Sequence, residues 1–139
     1  MHRFTLPITI VFLGILVAIL HSVALDRFLY FHLPWLDVVM HFLGGLLVSL
    51  FGLWAFMKHH ADFESIPKSL LLFDVVLFVF IIGMLWETFE LRFGLISDDL
   101  YVYTIDTFAD FFMNMVGAMV GFFLVESGHI FNDNKKIDE

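Results

Sequence analysis

Four apolar segments, each close to the roughly 20 residues that a helix needs to cross the hydrocarbon core, take up most of this chain. They lie at about 6–25, 36–57, 70–91 and 107–125. Backbone inside a bilayer must satisfy its own hydrogen bonds, so spans of this length fold as helices. The expected fold is all-α: an integral membrane four-helix bundle over 1–126 with short connections, followed by a short cytoplasmic tail at 127–139. A content of 60% hydrophobic residues and a mean hydropathy of +0.92 exclude an ordinary soluble domain. The absence of cysteine excludes disulfides, thiolate metal sites and cysteine nucleophiles. His2, Arg3 and the Ser22-Val23-Ala24 triplet give the first segment some features of a signal peptide. Its apolar run is longer than the usual core of a signal, however, and it reads as a retained span.

Basic residues favour the cytoplasmic side of short connections. Arg3, Lys58, Lys68, Lys135 and Lys136 fall in the N-terminus, the second connection and the tail, whereas the first and third connections hold Arg27 and Arg92. That five-to-two bias predicts an N-in, C-in protein of the bacterial cytoplasmic (inner) membrane. The outer half then carries eight acids against two arginines, and the inner half seven acids against five bases. So acidic an outer field attracts cations and offers nothing to nucleic acid. Trp35 and Trp86 near the outer boundary, and Trp54 beside Lys58 at the inner one, fit interfacial belts.

Ionisable groups inside spans are costly, and a group of them that converges marks a functional site. Because the spans alternate in direction, the end of the first, the start of the second, the end of the third and the start of the fourth share one side. Asp37 and His41 open the second span at i,i+4, which places them on one helix face. Glu87 and Glu90 close the third span at i,i+3, at the helix end where the macrodipole disfavours anions. Arg92, a metal ion or a bound proton could compensate them. Asp106, Asp110 and Asn114 form a stripe at i, i+4, i+8 on the fourth span, reaching about 12 Å along the helix. His21, near the outer end of the first span, either supports the same site or sits at the interface. Asp37 and Asp106 also have a plainer reading as N-caps; Asp110 and Asn114 lie too deep for that.

Several carboxylates around one dry cavity cannot all stay ionised without a cation. Carboxylates and imidazole on facing helices are how bundles build metal sites, and this donor set suits Zn²⁺, Mn²⁺ or Fe²⁺. The predicted ligands are Asp37, His41, Glu87 and Asp110, with Glu90 or Asp106 as general base and Asn114 and His21 in support. Beyond the stripe, Gly117-Ala118-Met119-Val120-Gly121 is a GxxxG pattern suited to close helix contact. It implies a central place for this helix, or a face for a second copy of the chain.

The pattern Asp37-x-x-x-His41-Phe42-x-Gly44-Gly45, then Trp86-Glu87-x-x-Glu90, then Asp106-Thr107-x-x-Asp110-x-x-x-Asn114-x-x-Gly117-Ala118-x-x-Gly121 resembles the YjdF-like family of small bacterial membrane proteins. It is also similar to the VanZ-like family, whose members are associated with low-level glycopeptide resistance. The resemblance covers roughly 36–121. The chain is short and lacks a VanZ-style Gln between Glu87 and Arg92, which favours the YjdF-like comparison.

The leading functional expectation is a membrane protein with an outer-leaflet acidic and histidine site. That site binds a divalent cation and acts hydrolytically on a membrane lipid or lipid-linked headgroup. The alternatives are a proton or cation relay and a non-catalytic VanZ-like resistance factor. Topology is directly testable. Reporter fusions at Glu139 and within 93–104 are expected on opposite sides, with the loop outside; an external C-terminus would move the site to the inner leaflet.

Overall fold

A computed structural model describes residues 5–60, 63–93 and 100–128. Arg3, Lys135, Lys136, Asp98, Asp99 and most of the expected tail lie outside the described residues. The elements run α1 (Thr5–Asp26), the single-turn α2 (Leu29–His32), α3 (Trp35–His59), a 3-10 turn (Phe63–Ser65), α4 (Lys68–Phe93) and α5 (Leu100–Glu126). Four of these helices are long and apolar enough to cross a membrane, and the protein is an integral membrane four-helix bundle. Its three prolines, Pro7, Pro34 and Pro67, lie in the first turn of a long helix or just before one. A missing N–H costs nothing there.

Helix ends depart from the apolar runs where hydropathy carries no information. α5 starts at Leu100, so Asp106 lies inside the helix and does not cap it. Pro34 occupies the N-cap position of α3, which removes the capping reading of Asp37. At the far end of α3, Lys58 and His59 face the negative pole of the helix, and the Lys58 ammonium lies 5.2 Å from the Trp54 ring centroid.

The most extensive contact in the bundle joins α3 to α5. A Cβ at Gly45 would collide with the backbone carbonyl of Asn114, and one at Gly117 with the carbonyl oxygen of Phe42. The two backbones therefore touch directly, as small residues permit in membranes. Gly121 continues the seam against Ser49, whose hydroxyl donates to the Leu46 carbonyl at 2.8 Å. The GxxxG face expected to be available to a second copy is thus occupied by α3 of the same chain, and self-association would need another surface.

α4 packs on both α5 and α3, whereas α1 leans chiefly on α3. Only Leu6 and Ala24 of α1 are buried. Leu53, Leu71, Val75, Val79, Ala118 and Phe122 form an apolar cluster further along the helices from Asp37, Glu87 and Asp110, and the Lys68–Glu126 ion pair ties α4 to α5 at that end. Crowding a packed interior costs about 1–3 kcal/mol. Gly117→Ala and Gly45→Ala are therefore expected to lower the thermal midpoint in detergent by several degrees. At Gly14 the nearest atom to an added Cβ is 3.9 Å away, so Gly14→Ala should leave the midpoint within about 1 °C.

Candidate functional site

The helices bring Asp37, His41, Glu87, Glu90 and Asp110 together at one end of the bundle. His41 is the hub. It is buried nearly two turns inside α3, with its Nε2 3.7 Å from Asp37 Oδ1 and 3.6 Å from Asp110 Oδ1. Its Nδ1 lies 3.2 Å from Asn114 Nδ2. Asp37, His41 and Asp110 offer ligand atoms that all lie within 4.8 Å of one another, as do His41, Glu87 and Glu90. The same imidazole therefore belongs to two potential metal-binding sets, one built from α3 and α5 and the other from α3 and α4.

Burial makes this arrangement demanding. Asp110 is 2% exposed and Glu87 6%, and Asp110 Oδ1 and Glu87 Oε1 have no hydrogen-bond partner. An unsatisfied buried polar group costs about 1–3 kcal/mol, and more when charged. Glu87 is half provided for, since the Thr107 hydroxyl donates to its Oε2 at 3.0 Å. Among the described residues Arg92 forms no ion pair with Glu87 or Glu90, so the expected local compensation is absent. The imbalance calls for a cation or for protons held on the cluster.

The remaining expected site residues occupy distinct places. Glu90 is half-buried and lines a cavity beside the cluster. Asp106 is exposed and belongs to neither metal-binding set, although its charge acts on Asp37, Glu87, Glu90 and Asp110. His21 lies outside both sets. It packs edge-on to Trp86, with centroids 5.7 Å apart, and also lines the cavity.

Sequence reasoning missed Tyr30. The chain leaves α1 through Phe28, whose φ of 53° lies in the left-handed region and costs on the order of 1 kcal/mol or more. The reversal carries α2 back so that Tyr30 Oη sits 2.8 Å from His21 Nδ1. Burial, with the charges of Asp37 and Glu90, raises the Tyr30 phenol to about 12. It therefore stays protonated at neutral pH and shares a hydrogen bond with His21 whose direction follows the His21 tautomer. The only advance signal was an amphipathic aromatic in the connection nearest the acids.

The cavity of about 330 Å³ lies between α1, α3 and α4, with Asn114 contributed by α5. Asp37, His41, Glu90, His21 and Tyr30 form its polar end, and Gly14, Val17, Val48, Val79 and Ile82 are among its apolar walls.

The chain belongs to a family described as "Predicted membrane protein (DUF2238)", whose profile matches residues 1–129. That family is the YjdF-like one; the match leaves the VanZ-like likeness without support. Comparison with curated proteins and with solved structures gave no match.

The Tyr30 phenol provides a test of this geometry. Its proton is held more tightly in the folded protein than at the ordinary value of 10.0, so folded-state stability should fall as pH rises from about 10 to about 12. In alkaline absorbance titrations the phenolate signal missing from Tyr30→Phe should appear only near pH 12, and the variant should lose less stability over that interval.

Proposed function

We propose that the buried cluster binds one divalent cation and that the site acts hydrolytically on the headgroup of a membrane lipid or lipid-linked molecule, at the outer leaflet if the basic bias sets the topology. The observation that carries this reading is the spacing around His41. Its Nε2 is 3.6 and 3.7 Å from two carboxylate oxygens, too far for hydrogen bonds. Ligands held about 2.0–2.2 Å from a shared ion stand about 3–4 Å apart. The partnerless oxygen of Asp110 is one of the two.

Asp37, His41 and Asp110 are the primary ligands in this reading, with Glu87 within reach through His41. Oxygen-rich donors with one imidazole suit Mn²⁺, Fe²⁺ or Zn²⁺. Such a cation supplies a Lewis acid that activates water. Glu90, at the polar end of the cavity, is the base that accepts the proton of the attacking water. Asp106, outside both sets, adds negative field and holds substrate-side solvent. Tyr30 and His21 border the space a headgroup would occupy.

Asn114 selects the form of His41. With Nδ2 turned to the ring, the amide donates to Nδ1 and the ring proton resides on Nε2. With the amide reversed, its Oδ1 accepts from Nδ1–H and the Nε2 lone pair is free for a cation. A translocation role finds less support, because the apolar cluster of Leu53, Leu71, Val75, Val79, Ala118 and Phe122 presents no polar path beyond the site.

Purified protein loaded with Mn²⁺ or Zn²⁺ and analysed for bound metal tests this reading. His41→Ala and Asp110→Asn are each expected to abolish most binding, and the double variant to add little, because the two act as one unit. Asn114→Leu should weaken binding by about 10–100-fold, as loss of a group orienting a ligand does. Full metal content in Asp110→Asn, with higher thermal stability, would reduce the cluster to a packing feature.

A further inference from the structure

The cavity beside the cluster has an orientation as well as a volume. On α3 it extends from Asp37 to Val48, and on α4 from Glu90 to Val79. Each stretch is twelve residues, eleven steps, or about 16 Å of helix at 1.5 Å per residue. On α1 it runs from His21 to Gly14, a further parallel wall of about 10 Å. The space is therefore elongated along the helices. Its depth matches one leaflet of a hydrocarbon core about 30 Å thick.

Polarity changes along that length. Asp37, Glu90, His21 and Tyr30 lie at one end, and Gly14, Val17, Val48 and Val79 at the other. A lipid in the same leaflet has this profile: a polar headgroup at the interface and an apolar chain below. The size lies at the lower end of the roughly 300–1,000 Å³ typical of ligand cavities, enough for part of one chain and too little for a folded segment.

Access follows from the packing of α1. This helix leans on α3 and α2 and makes no extensive contact with α4, although both α1 and α4 line the cavity. Small residues border the space on each side, Gly14 and Ala18 on α1 and Gly83 on α4. At Gly14 an added Cβ would find its nearest neighbour, Leu47, at 3.9 Å. The α1 wall is thus kept thin where no packing demand requires it.

We propose that the cavity takes one hydrocarbon chain of a membrane lipid, admitted from the bilayer between α1 and α4, and so presents the headgroup to the acidic cluster. Catalysis on that headgroup rests on the metal-site reading; occupation of the cavity by the chain does not. Among the described residues no Lys or Arg lines the cavity, so a phosphate headgroup would be held through the cation and through the one donor that the His21–Tyr30 hydrogen bond leaves free. The narrow bed takes one chain at a time, and the residues at 14 and 18 set its width.

Photolabelling tests this in the intact protein. The protein is reconstituted in phosphatidylethanolamine vesicles containing phosphatidylglycerol with a diazirine midway along one acyl chain, irradiated, digested and mapped by mass spectrometry. Adducts are expected on cavity residues such as Val48, Val79 and Ile82, alongside the background on lipid-facing Phe12, Ile15 and Phe73. Ala18→Phe and Gly14→Phe fill the space without touching the cluster. Each should cut cavity adducts at least severalfold while leaving the background and Mn²⁺ content unchanged. Cavity residues that stay unlabelled in the wild-type protein, or labels that persist equally in both filled variants, would overturn the proposal. So would a cavity blocked by cross-linking to a second copy. The two readings separate cleanly: labelling without bound Mn²⁺ overturns the metal site alone, and bound Mn²⁺ without labelling overturns the lipid chain alone.

Discussion

Gly45 and Gly117 bring the backbones of α3 and α5 into direct contact, and that closeness fixes the relative positions of the polar groups in the bundle. His41 lies one turn before Gly45 on α3. Asp110 and Asn114 lie within two turns before Gly117 on α5. Asn114 takes part in both relations, since its carbonyl meets the Gly45 backbone while its amide meets His41. The helix seam and the site are therefore one structure. A wider seam would move Asp110 and Asn114 away from the imidazole together, leaving the Asp110 carboxylate buried with still less around it. Retaining such a group inside a span is expensive, and the seam is what makes the expense productive.

The four spans were legible because lipid permits few alternatives: long apolar runs must become helices. Their ends were less legible. The first turns of α5 include Tyr103, Thr104 and Asp106, which add helix beyond the apolar run and leave no mark in hydropathy. Asp106 accordingly looked like a cap, although it lies inside the helix. Within the site, i,i+4 and i,i+3 spacing placed Asp37 with His41 and Glu87 with Glu90 on shared faces, as they stand in the structure. Spacing along one helix says nothing about which face meets which helix. That is why the GxxxG motif could be assigned equally to a second copy or to α3, and why Arg92 looked available to the glutamates. Tyr30 was illegible for a different reason. Its position depends on a left-handed turn at Phe28, a residue type that gives no hint of one.

The contrast between the two ends of the bundle limits what the site can do. At the acidic end, carboxylates outnumber compensating groups and hydrogen-bond partners run out. At the other end an apolar cluster closes the interior, and the Lys68–Glu126 pair bridges α4 and α5. A site open on one side and closed on the other suits chemistry performed in place. The amide of Asn114 adds a choice of proton position on His41, because its nitrogen and oxygen are nearly the same size and reversing it changes the ring tautomer without repacking the helices.

The order of synthesis gives the α3–α5 seam another consequence. α5 is the last of the four spans to emerge, yet it contributes one side of the seam and, in Asp110, one of the five residues of the two metal-binding sets. Until α5 packs, Gly45 lacks its backbone contact, and Asp37, His41, Glu87 and Glu90 lack Asp110 and Asn114. α5 itself carries Asp106 and Asp110 in its first half, and an aspartate at the centre of a lone span costs about 2.5–3.5 kcal/mol to insert. The earlier helices offer it an alternative to bare lipid: a glycine-lined track for its backbone and an imidazole for its acid. Membrane insertion of the final span and completion of the site are thus a single biogenetic event, so quality control that senses an unassembled α5 would also be sensing an unfinished site.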